Sequence, residues 1–407
     1  MVQIKSNQHC CGCEACVQKC PSQCITLVQD NEGFYYPQVD EEKCIHCKLC
    51  EKVCMYAMKQ TYVTPLEKVY AYINGDKHVL RKSSSGGAFA ALTSQFIDDS
   101  GVVFGAAFDS NWNVRHISIY EKEKLNLLQG SKYVQSQVGD TYKLTEECLK
   151  AGRKVLYSGT PCQIKGLKCY LGKDYENLLT VDFVCHGVPS PGIWRLYLDE
   201  LVKSSNNIKR INQIKDITFR DKTVSWEKYR FVIKVNLGNN DDFDLWSGIF
   251  NKNPFMKGFL CNVYLRPSCY SCPVKNGRSS SDIQMADFWG IKEVCKTLYN
   301  KDGVSMLIAQ SEKGDALCRS LKGYLLPQIN DITLLNQSYG KSSVPHSKRS
   351  QFFNRIEYEP FIPLINEITR YTLRDKLYCW ARVILKSLGV NYRLNKIVRK
   401  WRKKLQS

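Results

Sequence analysis

The chain has 407 residues, 43% of them hydrophobic and 24% charged, enough for two or three domains with cores of their own. No stretch reaches the roughly 18 to 20 uncharged apolar residues that a membrane span needs, and residues 1–7 are followed by no apolar run, so neither a span nor a signal peptide is expected and the expected location is cytoplasmic. The net charge is +19, but residues 370–407 hold twelve Lys or Arg against the single acid Asp375, so most of the excess belongs to a tail.

Twenty cysteines are unusual for a reduced compartment unless they bind metal. Ten lie between Cys10 and Cys54, and their spacing repeats: Cys10, Cys13, Cys16 and Cys20 recur as Cys44, Cys47, Cys50 and Cys54, an offset of 34. Gly12 and Pro21 occur only in the first copy. Both copies read C-x2-C-x2-C-x3-C. In this pattern three thiolates of one run bind one [4Fe-4S] cubane and the fourth crosses to the other. Cys10, Cys13, Cys16 and Cys54 are therefore assigned to one cluster, and Cys44, Cys47, Cys50 and Cys20 to a second. Zinc sites need two pairs per ion and fit this spacing badly. Cys11 and Cys24 are left spare, Cys24 as packing; Met55 stands where such motifs have proline, and His46 reads as a surface residue.

The next region alternates strand and helix signals. Residues 70–73, 101–105, 154–157 and 179–184 read as buried strands between turn signals, with helical patterns over 87–97 and 141–151. Cys162 and Cys185 each follow such a strand, and Cys269 and Cys272 form a C-x2-C pair. Strand ends converge at one edge of an α/β sheet, so these four form a candidate third site; the plain alternative is that Cys162 and Cys185 are small buried hydrophobes. Cys148, Cys169, Cys261, Cys295, Cys318 and Cys379 have no partner at metal spacing.

Five segments carry a resemblance. Ser84-Ser85-Gly86-Gly87-Ala88-Phe89, Gly130-Ser131-Lys132-Tyr133-Val134-Gln135-Ser136, Gly159-Thr160-Pro161-Cys162-Gln163, Val184-Cys185-His186-Gly187 and Ser268-Cys269-Tyr270-Ser271-Cys272, followed by Asp282-Ile283 and Asp287-Phe288-Trp289-Gly290, resemble the coenzyme F-420 hydrogenase/dehydrogenase beta-subunit family over residues 68–340. The resemblance implies a [4Fe-4S] cluster on Cys162, Cys185, Cys269 and Cys272, and FAD near Gly86, Gly87, Lys132, Tyr133 and Gln163. The serine and glycines before a helix suit a phosphate at its N-terminus, although such pairs usually mark plain turns. Lys132 and Tyr133 have the bland readings of surface lysine and core aromatic.

Beyond 365, two amphipathic basic helices are expected. Leu373, Leu377, Trp380, Ala381, Ile384 and Leu388 form one apolar stripe; Leu394, Ile397, Val398, Trp401 and Leu405 form the next. They could meet an anionic membrane surface, an acidic partner or their own domain.

The expected fold is thus an α+β ferredoxin-like cluster domain over residues 1–62, an α/β flavin-binding domain over 63–365 (parts 68–150 and 151–340), and a basic α-helical tail over 366–407. The expected function is that of an iron–sulfur flavoprotein oxidoreductase moving electrons between clusters and FAD. Its expected partners are a ferredoxin or deazaflavin coenzyme and a small organic substrate, with possible peripheral membrane contact and no nucleic acid. Catalytic residues stay unassigned, with His186 a candidate proton donor. The rival readings are a non-catalytic electron-transfer subunit and, more remotely, a zinc-containing nucleic-acid-binding protein.

Overall fold

The computed structural model describes residues 6–57, 66–236, 242–275, 277–325, 332, 336 and 338–370. Of the basic tail expected over 366–407, everything after Arg370 lies outside them.

The cysteine-rich segment folds around a hairpin of β1 (Ile25–Gln29) and β2 (Tyr35–Val39), with Ile25 opposite Val39. One short helix stands on each side, Ala15–Gln18 and Leu49–Lys52. The sequence repeat extends to the backbone. Gly12 and Glu14 have φ of 68° and 62°; their equivalents 34 residues on, His46 and Lys48, have 54° and 60°. Each loop needs two left-handed residues to wind three thiols round one space. Glycine takes that conformation freely at position 12; His46 accepts it at a cost.

The larger body is built on β3 (Lys68–Tyr72), β4 (Val102–Phe108), β5 (Val114–Ile119), β6 (Val155–Ser158) and β7 (Leu178–Phe183), then β8 (Ile214–Asp221), β9 (Arg230–Asn236) and β10 (Asp242–Ile249), then β11 (Ile283–Asp287), β12 (Ser305–Ala309) and β13 (Tyr324–Leu325). Eight of these form one sheet in the order β13-β3-β12-β11-β7-β6-β4-β5, and β8–β10 form a separate antiparallel sheet. The centre, β11-β7-β6-β4, is parallel. Helices shield it, so Val155, Leu156, Tyr157, Leu178, Leu179 and Val181 are all buried. The flanking strands β5, β12, β3 and β13 run antiparallel to their neighbours.

Two of the expected helices are Ala88–Asp98 and Thr141–Lys150. The helix Phe361–Ile368 runs across the boundary expected at 365, and its Phe361, Leu364, Ile365 and Ile368 belong to the same core as Trp194, Tyr197 and Phe255. No helix among the described residues is long and apolar enough to cross a membrane.

The cysteine-rich segment is clamped to the larger body. Ala15 and Val53 share a core with Tyr142, Ile164 and Leu167. The buried Glu14 carboxylate accepts from the amides of Val138 (2.9 Å) and Gly139 (2.8 Å). Glu32 pairs with Arg349. Gly33 lies so close to Gly192 that a Cβ on it would sit 2.6 Å from the Gly192 Cα.

Candidate iron–sulfur sites

The second predicted quartet lines a single cleft. Cys20, Cys44, Cys47 and Cys50 surround about 320 Å³, counting the space open to solvent, together with Ser22, Cys24, Ile25, Val39, Ile45, His46 and Lys48. Cys47 is exposed, and Ile45 beside it is 64% exposed. This site therefore opens to the surface. Cys24, read as packing, is buried but lies 3.4 Å sulfur to sulfur from Cys20.

The first predicted quartet is more deeply placed. Burial, then the neighbouring sulfurs of Cys13, Cys10 and Cys54, push the Cys16 thiol well above its ordinary range. Cys10 and Cys54 are also pushed up by burial and feel Cys13. Cys10, Cys13 and Cys54 thus all lie near Cys16, in agreement with the expected quartet. On its far side, the helix Pro161–Leu171 presents Gly166, where a Cβ would fall 3.0 Å from the Cys13 sulfur. Arg266, 1% exposed, donates to the Cys10 carbonyl oxygen at 2.8 Å, the Cys10 sulfur at 3.6 Å, the Tyr35 carbonyl at 2.9 Å and Gln135 at 2.9 Å.

The third quartet is brought together by topology. β6 and β7 are parallel neighbours, so the chain leaves both at the same edge. After β6 it turns into the helix Pro161–Leu171, capped by Thr160 and Gln163, which sets Cys162 in the first turn. After β7 it reaches Cys185. Cys269 lies in the 3-10 turn Pro267–Ser271 and Cys272 follows it. Burial pushes the Cys185 thiol up to about 12, with Cys162 and Cys272 adding to it and Lys275 opposing. Cys272 is pushed up to about 11 by burial and then Cys162. Cys269 is raised by burial, then by Cys185, with Cys162 and Cys272 adding. Each of these thiols thus lies near others of the four, which agrees with the expected third site.

Among the described residues, no three His, Cys, Asp or Glu side chains close on a single metal ion. One tetrahedral ion needs its sulfurs about 3.8 Å apart, whereas a cubane holds its thiolates further apart. The relevant fit is four thiols round one space. The cleft at Cys20, Cys44, Cys47 and Cys50 meets it directly, and the mutual influences of the other two quartets agree with it.

The five residues expected near FAD do not fit that group as a set. The Lys132 ammonium donates to the carbonyls of Gln129 (2.9 Å) and Gly130 (3.2 Å). Tyr133 stacks on Phe259 at 4.9 Å between centroids. Gln163 accepts from the Thr160 amide at 2.9 Å and donates to Ser136 Oγ at 2.9 Å. A Cβ on Gly86 would meet the Tyr72 carbonyl oxygen at 2.2 Å, so this glycine serves strand packing. Gly87, at φ 83°, starts the helix Ala88–Asp98 and alone makes no cofactor cradle. His186 is held by Asn262 at 2.6 Å, and burial lowers its pKa.

Two groups of interest carry little sequence signal. Arg266 is a lone arginine outside any motif. Cys11, set aside as spare, is 6% exposed and packs with Cys13, Cys162 and Cys272.

The repeated cysteine spacing and the thiol-lined cleft it builds are those of an iron–sulfur redox protein. The comparisons specify it further. Residues 152–328 match the carboxy-terminal region of the coenzyme F420 hydrogenase/dehydrogenase beta subunit, and residues 9–58 match a 4Fe-4S dicluster domain. The chain therefore joins an N-terminal dicluster domain to a region related to that beta subunit, as its motifs suggested. Among solved structures, a chain of the F420-reducing [NiFe] hydrogenase complex from Methanosarcina barkeri is 16% identical, aligned over 74% of this chain and 97% of that one, with a TM-score of 0.44, a loose overlap. No curated protein matches.

Proposed function

We propose that this chain passes single electrons from a surface donor, through the two dicluster sites, to a third [4Fe-4S] site at the sheet edge, and from there to an organic acceptor. The observation that carries this reading is the order of the quartets. The Cys20, Cys44, Cys47 and Cys50 cleft opens to solvent, Cys16 packs in one core with Cys20, Cys44 and Cys50, and Cys13 packs in another with Cys11 and Cys162. The clusters supply one-electron chemistry at potentials tuned by hydrogen bonds and exposure. The protein's part is to hold the thiolates, exclude water from the inner two sites and place Arg266 beside Cys10. Anaerobic stopped-flow mixing with a reduced ferredoxin tests the reading. Bleaching in three resolvable phases supports it; bleaching that stops after two clusters counts against it.

One observation favours the enzyme reading over a pure relay. Arg220, on β8, is buried beside Asp287 and lies over the rings of Tyr229 (4.6 Å) and Trp289 (5.6 Å). Its Nε and Nη2 find no acceptor among the described residues. A buried donor without a partner costs about 1–3 kcal/mol, which an anionic group of a bound flavin or deazaflavin would relieve. Trp289 is 39% exposed, so a ligand could reach this patch. Equilibrium dialysis of coenzyme F420 and of FAD against wild type and Arg220→Met decides: binding lost in the variant supports a resident acceptor, and no binding to either form leaves the relay.

A further inference from the structure

Arg266 is 1% exposed, yet among the described residues none of its hydrogen bonds goes to a carboxylate. Its nitrogens meet three neutral oxygens, of Cys10, Gln135 and Tyr35, and one sulfur, that of Cys10 at 3.6 Å. The rings of Tyr36 and Phe34 lie beside the guanidinium at 4.3 Å and 5.3 Å. Glu14 and Asp30 feel its charge, but backbone amides hold both carboxylates: those of Val138 and Gly139 for Glu14, those of Glu32 and Phe34 for Asp30. Gly12 lets the loop come this close, since a Cβ there would sit 2.9 Å from Arg266 Nη1. The backbone of Arg266 is anchored on the other side. Its amide donates to the Val188 carbonyl at 3.0 Å, and its carbonyl accepts from the Cys269 amide at 2.9 Å. The guanidinium is therefore fixed in place against a sulfur of the dicluster module.

A guanidinium keeps its charge at any working pH. Buried without a paired anion it is costly, so its surroundings should supply negative charge. A cubane bound by four thiolates is anionic and becomes more so on reduction, and hydrogen bonds to its sulfurs set its potential together with exposure. Donors that carry a full charge are the stronger ones in that role. We propose that Arg266 raises the reduction potential of the cluster on Cys10, Cys13, Cys16 and Cys54 above that of the solvent-open cluster, and so sets the inward direction of electron flow. The proposal rests on the reading that both dicluster quartets hold [4Fe-4S] clusters. In the step it favours, the open cluster loses one electron and the cluster beside Arg266 gains it. Arg266 has no proton to give up, so the electron moves alone. Cys47 of the open site is exposed to water; without the buried charge, the drier site would be the harder of the two to reduce.

The test uses the full chain, reconstituted anaerobically, with redox titration followed by electron paramagnetic resonance and with iron analysis. Arg266→Gln keeps a polar donor and loses the charge; Arg266→Lys keeps the charge. Gln135→Glu leaves Arg266 in place and sets a carboxylate against Nη1, where Gln135 Oε1 accepts at 2.9 Å. Gln135→Met breaks the same bonds without adding charge. The open cluster is identified by the signal that Cys20→Ala removes. In Arg266→Gln and Gln135→Glu the potential of the cluster beside Arg266 should fall by at least about 59 mV, a tenfold change for one electron. Arg266→Lys and Gln135→Met should keep most of the wild-type value, and the open cluster's potential should stay in place in all four. An unmoved potential in Arg266→Gln overturns the proposal. Equal shifts in Arg266→Gln and Arg266→Lys also overturn it, because they would report packing rather than charge. If Arg266→Gln does not hold its iron, the Gln135 pair decides: equal potentials in Gln135→Glu and Gln135→Met overturn the proposal. Wild-type protein whose open cluster has the higher potential overturns it as well. Wild type with about eight irons would remove the sheet-edge site, and a persisting Arg266→Gln shift would still support the proposal.

Discussion

Arg266 donates through Nε to the carbonyl oxygen of Cys10 at 2.8 Å, joining a residue of the larger body to the first cysteine of the dicluster module, 256 positions away. The guanidinium is fully committed: its other nitrogens meet Gln135, Tyr35 and the Cys10 sulfur. Arg266→Met removes the charge and leaves buried acceptors bare. The expected cost is about 3 kcal/mol, measured by denaturant unfolding under anaerobic conditions. Arg266→Lys should recover only part of it, because an ammonium cannot reproduce a planar fork.

Gly166 provides a second test of the docking. Alanine in a helix interior is ordinarily worth about 0.5–1 kcal/mol over glycine. Here the new Cβ would sit 2.7 Å from the Cys13 Cβ and 3.0 Å from its sulfur. Overpacking costs about 1–3 kcal/mol, and the neighbour is held by its cluster, so the clash should win. Gly166→Ala should weaken the cluster on Cys10, Cys13, Cys16 and Cys54 and spare the one in the open cleft. Iron retention and resonance spectra of the variant measure this.

The crossing of the fourth ligand gives a third. Cys20 closes the first run in sequence yet lines the cleft of Cys44, Cys47 and Cys50. Cys20→Ala should therefore damage that cluster and leave its sequence neighbours' cluster signal intact. Loss of the other signal alone would contradict the assignment.

His116 carries a pH dependence. Its ring lies between Ser136 Oγ at Nδ1 and the Ser158 carbonyl at Nε2, both at 3.0 Å, so Nε2 donates and Nδ1 accepts. Burial lowers its pKa to about 4. The unfolded chain takes up the proton near pH 6.5 while the folded chain refuses it, so stability is lost as pH falls from about 6.5 toward 4. From pH 7 to pH 5 the loss should be about 2 kcal/mol. His116→Phe should show a correspondingly flatter profile in denaturant unfolding between those pH values.

The sequence revealed those features whose chemistry fixes their spacing. Cys20, Cys44, Cys47 and Cys50 could be assigned by number alone because a cubane's fourth ligand must cross. Cys162 and Cys185 were legible as a pair because each follows a hydrophobic run that becomes a parallel strand. Lys132, Tyr133 and Gln163 were not: a short motif cannot say that a lysine caps two carbonyls or that a glutamine closes a helix cap. The antiparallel sheet β8–β10, which carries Arg220, went unread although the sequence between β9 and β10 holds the turn signal Gly238-Asn239-Asn240-Asp241. Cys11 was hidden for a different reason. It is one residue out of phase with the ligand spacing, and it packs in one core with Met55 and Cys162, 44 and 151 positions away.

The central claim is that twelve cysteines hold three cubanes. Iron, acid-labile sulfide and zinc should be counted together in protein isolated and kept without oxygen. The account predicts about twelve irons and twelve sulfides per chain, with no stoichiometric zinc. About eight of each would remove the site at Cys162, Cys185, Cys269 and Cys272, and stoichiometric zinc in place of iron would contradict the account altogether.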